Sequence, residues 1–101
     1  MLKNFRTYQL SVEFYKKSKN LNFKGAVREQ FSRASLSISL NLAEGTGKSS
    51  KKDRRRFYEI AMGSTRECQA ILTLENLEDT ELNLILDRLA GSIYKLIKNV
   101  M

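Results

Sequence analysis

The 101-residue chain has no proline, no histidine and no tryptophan, and only one cysteine. Each absence excludes something. Without histidine there is no imidazole base, no triad built on one and no histidine metal ligand. A lone thiol can neither close an internal disulfide nor build a thiolate zinc cage. That count suits a reducing, cytoplasmic setting. Without proline no helix is forced to kink. Long apolar runs are missing as well. Nothing approaches the roughly 20 residues of a membrane span, and MLKNFRTYQL lacks the apolar stretch of a signal peptide. No membrane partner, cofactor or metal is expected.

The hydrophobic fraction of 42% suits a folded domain, and the length predicts a single one over residues 1–101. A chain this short buries only about 60–70% of its unfolded surface, so self-association would help it. The formal charge is +7, from 18 Lys+Arg against 11 Asp+Glu. It is unevenly placed. Residues 1–56 carry 14 basic and 4 acidic groups, a net +10, and residues 57–101 carry 4 and 7, a net −3.

Apolar spacing predicts four helices and the order all-α, antiparallel, up-down-up-down. The first runs from about Asn4 to Lys19, with Phe5, Tyr8, Val12 and Tyr15 on one face. The second spans about Lys24 to Glu44. There Val27, Phe31, Ala34, Ile38 and Leu42 keep helical spacing, while Ser35–Leu42 also alternates like a strand. The longer pattern decides for a helix. Its leftover apolar residues, Leu36, Leu40 and Ala43, form a second stripe, where a surface helix needs only one. Gly45 to Ser50 reads as a loop. Ser50 and Asp53 resemble an N-cap pair that opens a third helix from about Lys51 to Leu77. Phe57, Ile60, Ala61, Ser64, Cys68 and Ile71 form its expected core face, and Tyr58 and Met62 its far side. Leu82, Ile85, Leu86, Leu89, Ile93, Leu96, Ile97 and Val100 mark the fourth. The greasy outer positions Leu36, Leu40, Tyr58 and Met62 are the expected contacts between copies.

Candidate chemistry is sparse. Gly45-Thr-Gly-Lys-Ser49 matches the end of a phosphate-binding P-loop, but the required first glycine is replaced by Leu42 and the parallel strands are missing. The expectation is a basic helix–helix loop. Cys68 reads as a core thiol, having no histidine to activate it. Glu44, Glu59 and Glu67 show no paired spacing for acid–base work. Gly63 and Gly91 inside helices point to close helix–helix approach. The strongest signal is basic: Lys48, Lys51, Lys52, Arg54, Arg55 and Arg56 are opposed only by Asp53. In an up-down-up-down bundle the loop between helices two and three shares an end with both termini. That end also collects Lys3, Arg6, Lys95 and Lys98. At the other end Lys16, Lys17, Lys19 and Lys24 meet Glu75, Glu78, Asp79 and Glu81. One strongly positive end suits phosphate binding. A solubility surface or a dock for an acidic protein is the competing reading.

The series Ser39-Leu-Asn41-Leu-Ala43-Glu44-Gly45, then Lys48-Ser-Ser-Lys51-Lys52-Asp53, then Phe57-x-x-Ile60-Ala61-Met62-Gly63-Ser64-x-x-Glu67 resembles a bacterial family of small four-helix-bundle proteins. Some members are encoded in intervening sequences within large-subunit ribosomal RNA genes. Relatives include the accessory variability determinant proteins of diversity-generating retroelements. The resemblance implies a homo-oligomeric, ring-like pentamer without enzymatic activity. For the retroelement branch it implies association with nucleic acid and a reverse transcriptase. It makes Asn41, Glu44, Gly45, Gly63, Ser64 and Glu67 structural signature positions, with Asn41 and Glu44 capping helix ends or bridging helices. Arg54 and Arg55 depart from the family pattern, which has an apolar residue in that stretch.

Overall fold

The structure, a computed structural model, describes residues 5–101. Lys3 therefore lies outside the described residues. Four helices follow one another: α1 (Arg6–Ser18), α2 (Gly25–Thr46), α3 (Lys51–Leu74) and α4 (Glu81–Asn99). The strand-like alternation of Ser35–Leu42 lies wholly within α2. Each helix packs against its chain neighbours, and α1 closes the bundle against α4. Cross-helix contacts fix the directions. Ser39 Oγ donates to Ser11 Oγ between α1 and α2 (2.8 Å), while Phe14 and Phe31 pair nearer the α1–α2 turn. Ser64 Oγ donates to Ser37 Oγ between α2 and α3 (2.8 Å), and Thr46 meets Tyr58 at the near turn. Thr7 bonds Ser92, and Lys17 bonds Glu81, between α1 and α4. In every pair one residue number rises as the other falls, so neighbours are antiparallel.

The helix ends follow from local chemistry. Ser50 is the N-cap of α3, its Oγ accepting the Asp53 N–H at 3.1 Å. α3 stops at Leu74, short of the expected Leu77, because Asn76 turns left-handed (φ 60°). Leu77 N–H then reaches back to Leu72 O (2.7 Å), and Asn76 N–H to Thr73 O (3.1 Å), a Schellman end. Gly25, at φ 58°, opens α2 in a conformation that other residues resist.

The core faces of α2 and α4 are those their periodicity predicts: Phe31, Ala34, Ile38 and Leu42, and Leu82, Ile85, Leu86, Leu89 and Ile93, are buried. α1 and α3 are each turned by about one residue. In α1 the buried stripe is Thr7, Ser11, Phe14 and Ser18, while Tyr8, Val12 and Tyr15 are half-buried at its edge. Ser11 and Ser18 donate to the carbonyls of Tyr8 and Tyr15 (2.6 and 2.8 Å). Hydroxyls satisfied within their own turn can face a core without the penalty of an unpaired polar group. In α3 the buried stripe is Tyr58, Ala61, Thr65, Cys68 and Leu72, and Ile60 is left exposed.

Tyr58 therefore corrects the expectation of an outward position: it is 5% exposed and packs within its own bundle. Gly45 is the reason. The expected loop residue is in the last turn of α2, and the Tyr58 ring lies over it. A Cβ added there would sit 2.7 Å from Tyr58 Cε1. Gly63 and Gly91 correct a second expectation. Nothing lies within 4 Å of where their Cβ atoms would be, so neither serves a close approach inside the chain. Met62 is half-buried against the core, while Leu36 and Leu40 are 43% and 58% exposed.

Gly45→Ala should lower stability by roughly 1–3 kcal/mol, because the ring must move to admit the methyl group. Urea titration reads this directly. An unchanged midpoint would show that the contact does not govern packing.

Candidate nucleic-acid interface

The α2–α3 connection is only four residues long, Gly47 to Ser50, so the first turns of α3 project from the same end as the start of α1 and the close of α4. Lys51, Lys52 and Arg56 are exposed; Lys48, Arg54 and Arg55 are half-buried. Arg6 begins α1 at this end, and Lys95 and Lys98 lie in the last turns of α4. Lys48 is neutralised by Glu44 one turn back (3.3 Å). Among the described residues no carboxylate comes within 4.0 Å of a cationic nitrogen of Lys51, Lys52, Arg54, Arg55 or Arg56. Phe57 carries two of the cations on its ring: Lys48 Nζ at 5.2 Å and Arg56 Cζ at 4.6 Å from its centroid. These contacts hold the charges over the ring edge of α3 without neutralising them.

Arg54 has a different setting. It continues the core stripe of α3 one turn above Tyr58, where a bundle would take an aliphatic residue. Its Nε is shut off from solvent and has no hydrogen-bond partner. The stem covers the end of the core, and the charged fork is left at the rim.

The opposite end behaves differently. Lys17 Nζ bridges Glu13 (3.2 Å) and Glu81 (3.3 Å). Hydrogen bonds to Glu13 first and Glu81 second raise its pKa above the ordinary lysine value. Lys17 is thus held between two carboxylates, whereas at the α3 end only Lys48 is paired and five cations are not.

Nothing in the bundle supports the P-loop reading: Gly45 and Thr46 are helical, and Thr46 Oγ1 donates to Leu42 O (2.9 Å). Cys68 is fully buried, and burial first and Glu67 second push its thiol up to about 12. Such a thiol is a packing group and a poor nucleophile. Among the described residues no cluster of three or more His, Cys, Asp or Glu is placed to hold a metal ion. No helix among them is long and apolar enough to cross a membrane.

Residues 5–100 match the family described as 23S rRNA-intervening sequence protein. The chain belongs to this family. Comparison with curated proteins and with solved structures gives no match. Within this intervening-sequence protein the signature positions take distinct places. Asn41 Nδ2 donates to Ser37 O (2.9 Å) and Ser37 Oγ (3.0 Å), both within α2, so Asn41 neither caps a helix end nor bridges helices; Ser64, which donates to the same Ser37 Oγ, ties α2 to α3. Glu44 neither caps nor bridges helices; its partner is Lys48 on its own strand of chain. Gly45 seats Tyr58. Glu67 is exposed beside an apolar groove formed by Ala26, Val27, Ala70 and Leu74. Gly63 faces open space.

Two outcomes follow from this arrangement. Arg54→Leu should raise stability by about 1 kcal/mol or more, by removing a buried unpaired donor from a core register. Chemical denaturation tests it, and a loss of stability would show that Arg54 has an internal partner. The Cys68 thiol should resist alkylation in the folded protein even at pH 9, where a free cysteine is largely ionised. Its raised pKa also sets a sign. The stability it contributes is intact below about pH 8.5 and falls as pH rises toward about 12, because the unfolded thiol ionises first.

Proposed function

We propose that this bundle binds nucleic acid, RNA or DNA, through the basic end built on the first two turns of α3. The observation that carries the reading is the set of five cations, Lys51, Lys52, Arg54, Arg55 and Arg56, with no carboxylate against them. An unbalanced cluster of this density attracts polyphosphate and repels cationic partners. The bundle acts as a binding protein without chemistry of its own.

Self-association is part of the same proposal. Leu36, Leu40 and Ile60 are exposed on α2 and α3, and Gly63 beside them offers a helix surface without a side chain. An uncovered strip of this kind fits a second copy of the chain. A ring of such copies, a pentamer as the resemblance implies, would align their basic ends on one face and multiply the phosphate contacts. Leu40→Glu should then reduce the mass measured by light scattering to that of a smaller species. An unchanged mass would remove this strip from the interface.

RNA binding should weaken steeply with salt. Five phosphate contacts on a duplex correspond to a fall of roughly five hundredfold between 50 and 200 mM salt. The triple change Lys51→Glu, Lys52→Glu and Arg56→Glu, all at exposed positions, should abolish binding while leaving the helical circular dichroism intact. Salt-insensitive binding, or retention of an acidic protein in place of RNA, would turn the reading toward a protein dock.

A further inference from the structure

Resting on that reading, we infer that the nucleic acid this end accepts is base-paired, held by its two rows of phosphates and not by its bases. The rings decide this. Proteins that hold unpaired strands combine a cationic groove with several aromatic faces on which successive bases stack, each worth about 1–3 kcal/mol. Here the rings among the cations are already engaged. Phe57 is half-buried and has Lys48 and Arg56 over its ring. Tyr58 lies inside the bundle against Gly45, with its hydroxyl 3.3 Å from Thr46 Oγ1. Neither can offer a face to a base. Phe5 and Tyr8, at the opening of α1, are packed against the core. Among the described residues Tyr94 is the exposed ring toward this end, on α4 with Lys98 Nζ 5.7 Å from its centroid. One isolated ring can stack one base and cannot form a platform.

The polar groups agree. Asn and Gln read bases by paired donors and acceptors, whereas Arg and Lys serve phosphates as well as guanine. Residues 48–57 contain no Asn or Gln. Ser50 spends its oxygen on the Asp53 N–H, and Asp53 would repel a phosphate backbone. What remains are positive charges on successive residues of one helix, about 100° apart around its axis. Lys51, Lys52 and Arg56 are exposed on α3, while Arg54 and Arg55 are half-buried. Half-buried stems at Arg54 and Arg55, and the ring beneath Arg56, limit how far those charges can wander. Cations at restricted positions favour phosphates at regular positions, which a duplex supplies and a flexible strand must be ordered to supply. The bundle's cross-section of 22 × 21 Å is wide enough to meet both rims of a groove, about 12 Å apart in B-form DNA.

The test compares fluorescence anisotropy on three probes of matched total phosphate: a duplex RNA of about 16 base pairs, the corresponding duplex DNA, and an unstructured oligo-uridine. The expected result is at least about tenfold tighter binding of a duplex than of oligo-uridine at equal salt, with little dependence on duplex sequence. Which duplex binds tighter separates A-form from B-form geometry, and a preference of either kind over oligo-uridine upholds the inference. Tyr94→Ala should change duplex affinity by less than about twofold, a stacked base being worth far more. Equal or tighter binding of oligo-uridine, or a tenfold loss in Tyr94→Ala, would overturn the inference while leaving nucleic-acid binding in place. Failure to bind any of the three probes would instead overturn the proposed function itself.

Discussion

The Tyr58 ring resting on Gly45 is the contact on which the rest of the architecture depends. It joins the last turn of α2 to the second turn of α3 and leaves no room for a side chain between them. With only four residues in the connection, that contact sets both the register and the rotation of α3. The rotation places Ala61, Thr65, Cys68 and Leu72 inward and sends Lys51, Lys52 and Arg56 outward. It also brings Arg54 onto the core stripe, where its stem is useful packing and its Nε is a liability.

Charge separation along the bundle is a second consequence. Antiparallel neighbours bring the basic half of α3 beside the close of α4 and the opening of α1. They equally bring the acidic α3–α4 turn beside the end of α1, where Lys17 is held between Glu13 and Glu81. Pairing of this exposed kind contributes little to stability. Its effect is electrostatic: Lys17 is neutralised there, while five cations at the α3 end keep their field. A charge of one sign confined to one end is what allows a small bundle to meet a polyanion without a cleft.

Much of this was legible in the residues. The four helices, their approximate bounds, the core faces of α2 and α4, the Ser50–Asp53 cap and the basic end all follow from spacing and charge. The faces of α1 and α3 did not. Thr7, Ser11 and Ser18 carry no apolar signal, and only their bonds to neighbouring carbonyls and hydroxyls make them acceptable inside. Tyr58 read as an outward residue because Phe57 and Ile60 competed for the inward face. Gly45 read as loop because its use, a flat seat for a ring, belongs to a residue 13 positions away. Gly63 and Gly91 read as packing positions, and the space around them is open within the chain.

By itself the sequence determined which segments are helical, that they return on themselves through short turns, and that positive charge exceeds negative in the first 56 residues. Periodicity and net charge are properties of a line of residues, and they survive any rotation of the helices. Tertiary structure alone decided which rings are covered, which cations lack a partner, and which of two competing stripes on α3 enters the core. Those depend on the rotation of each helix about its axis. Rotation is set by contacts between residues far apart in the chain, above all by one aromatic ring that only a glycine could admit.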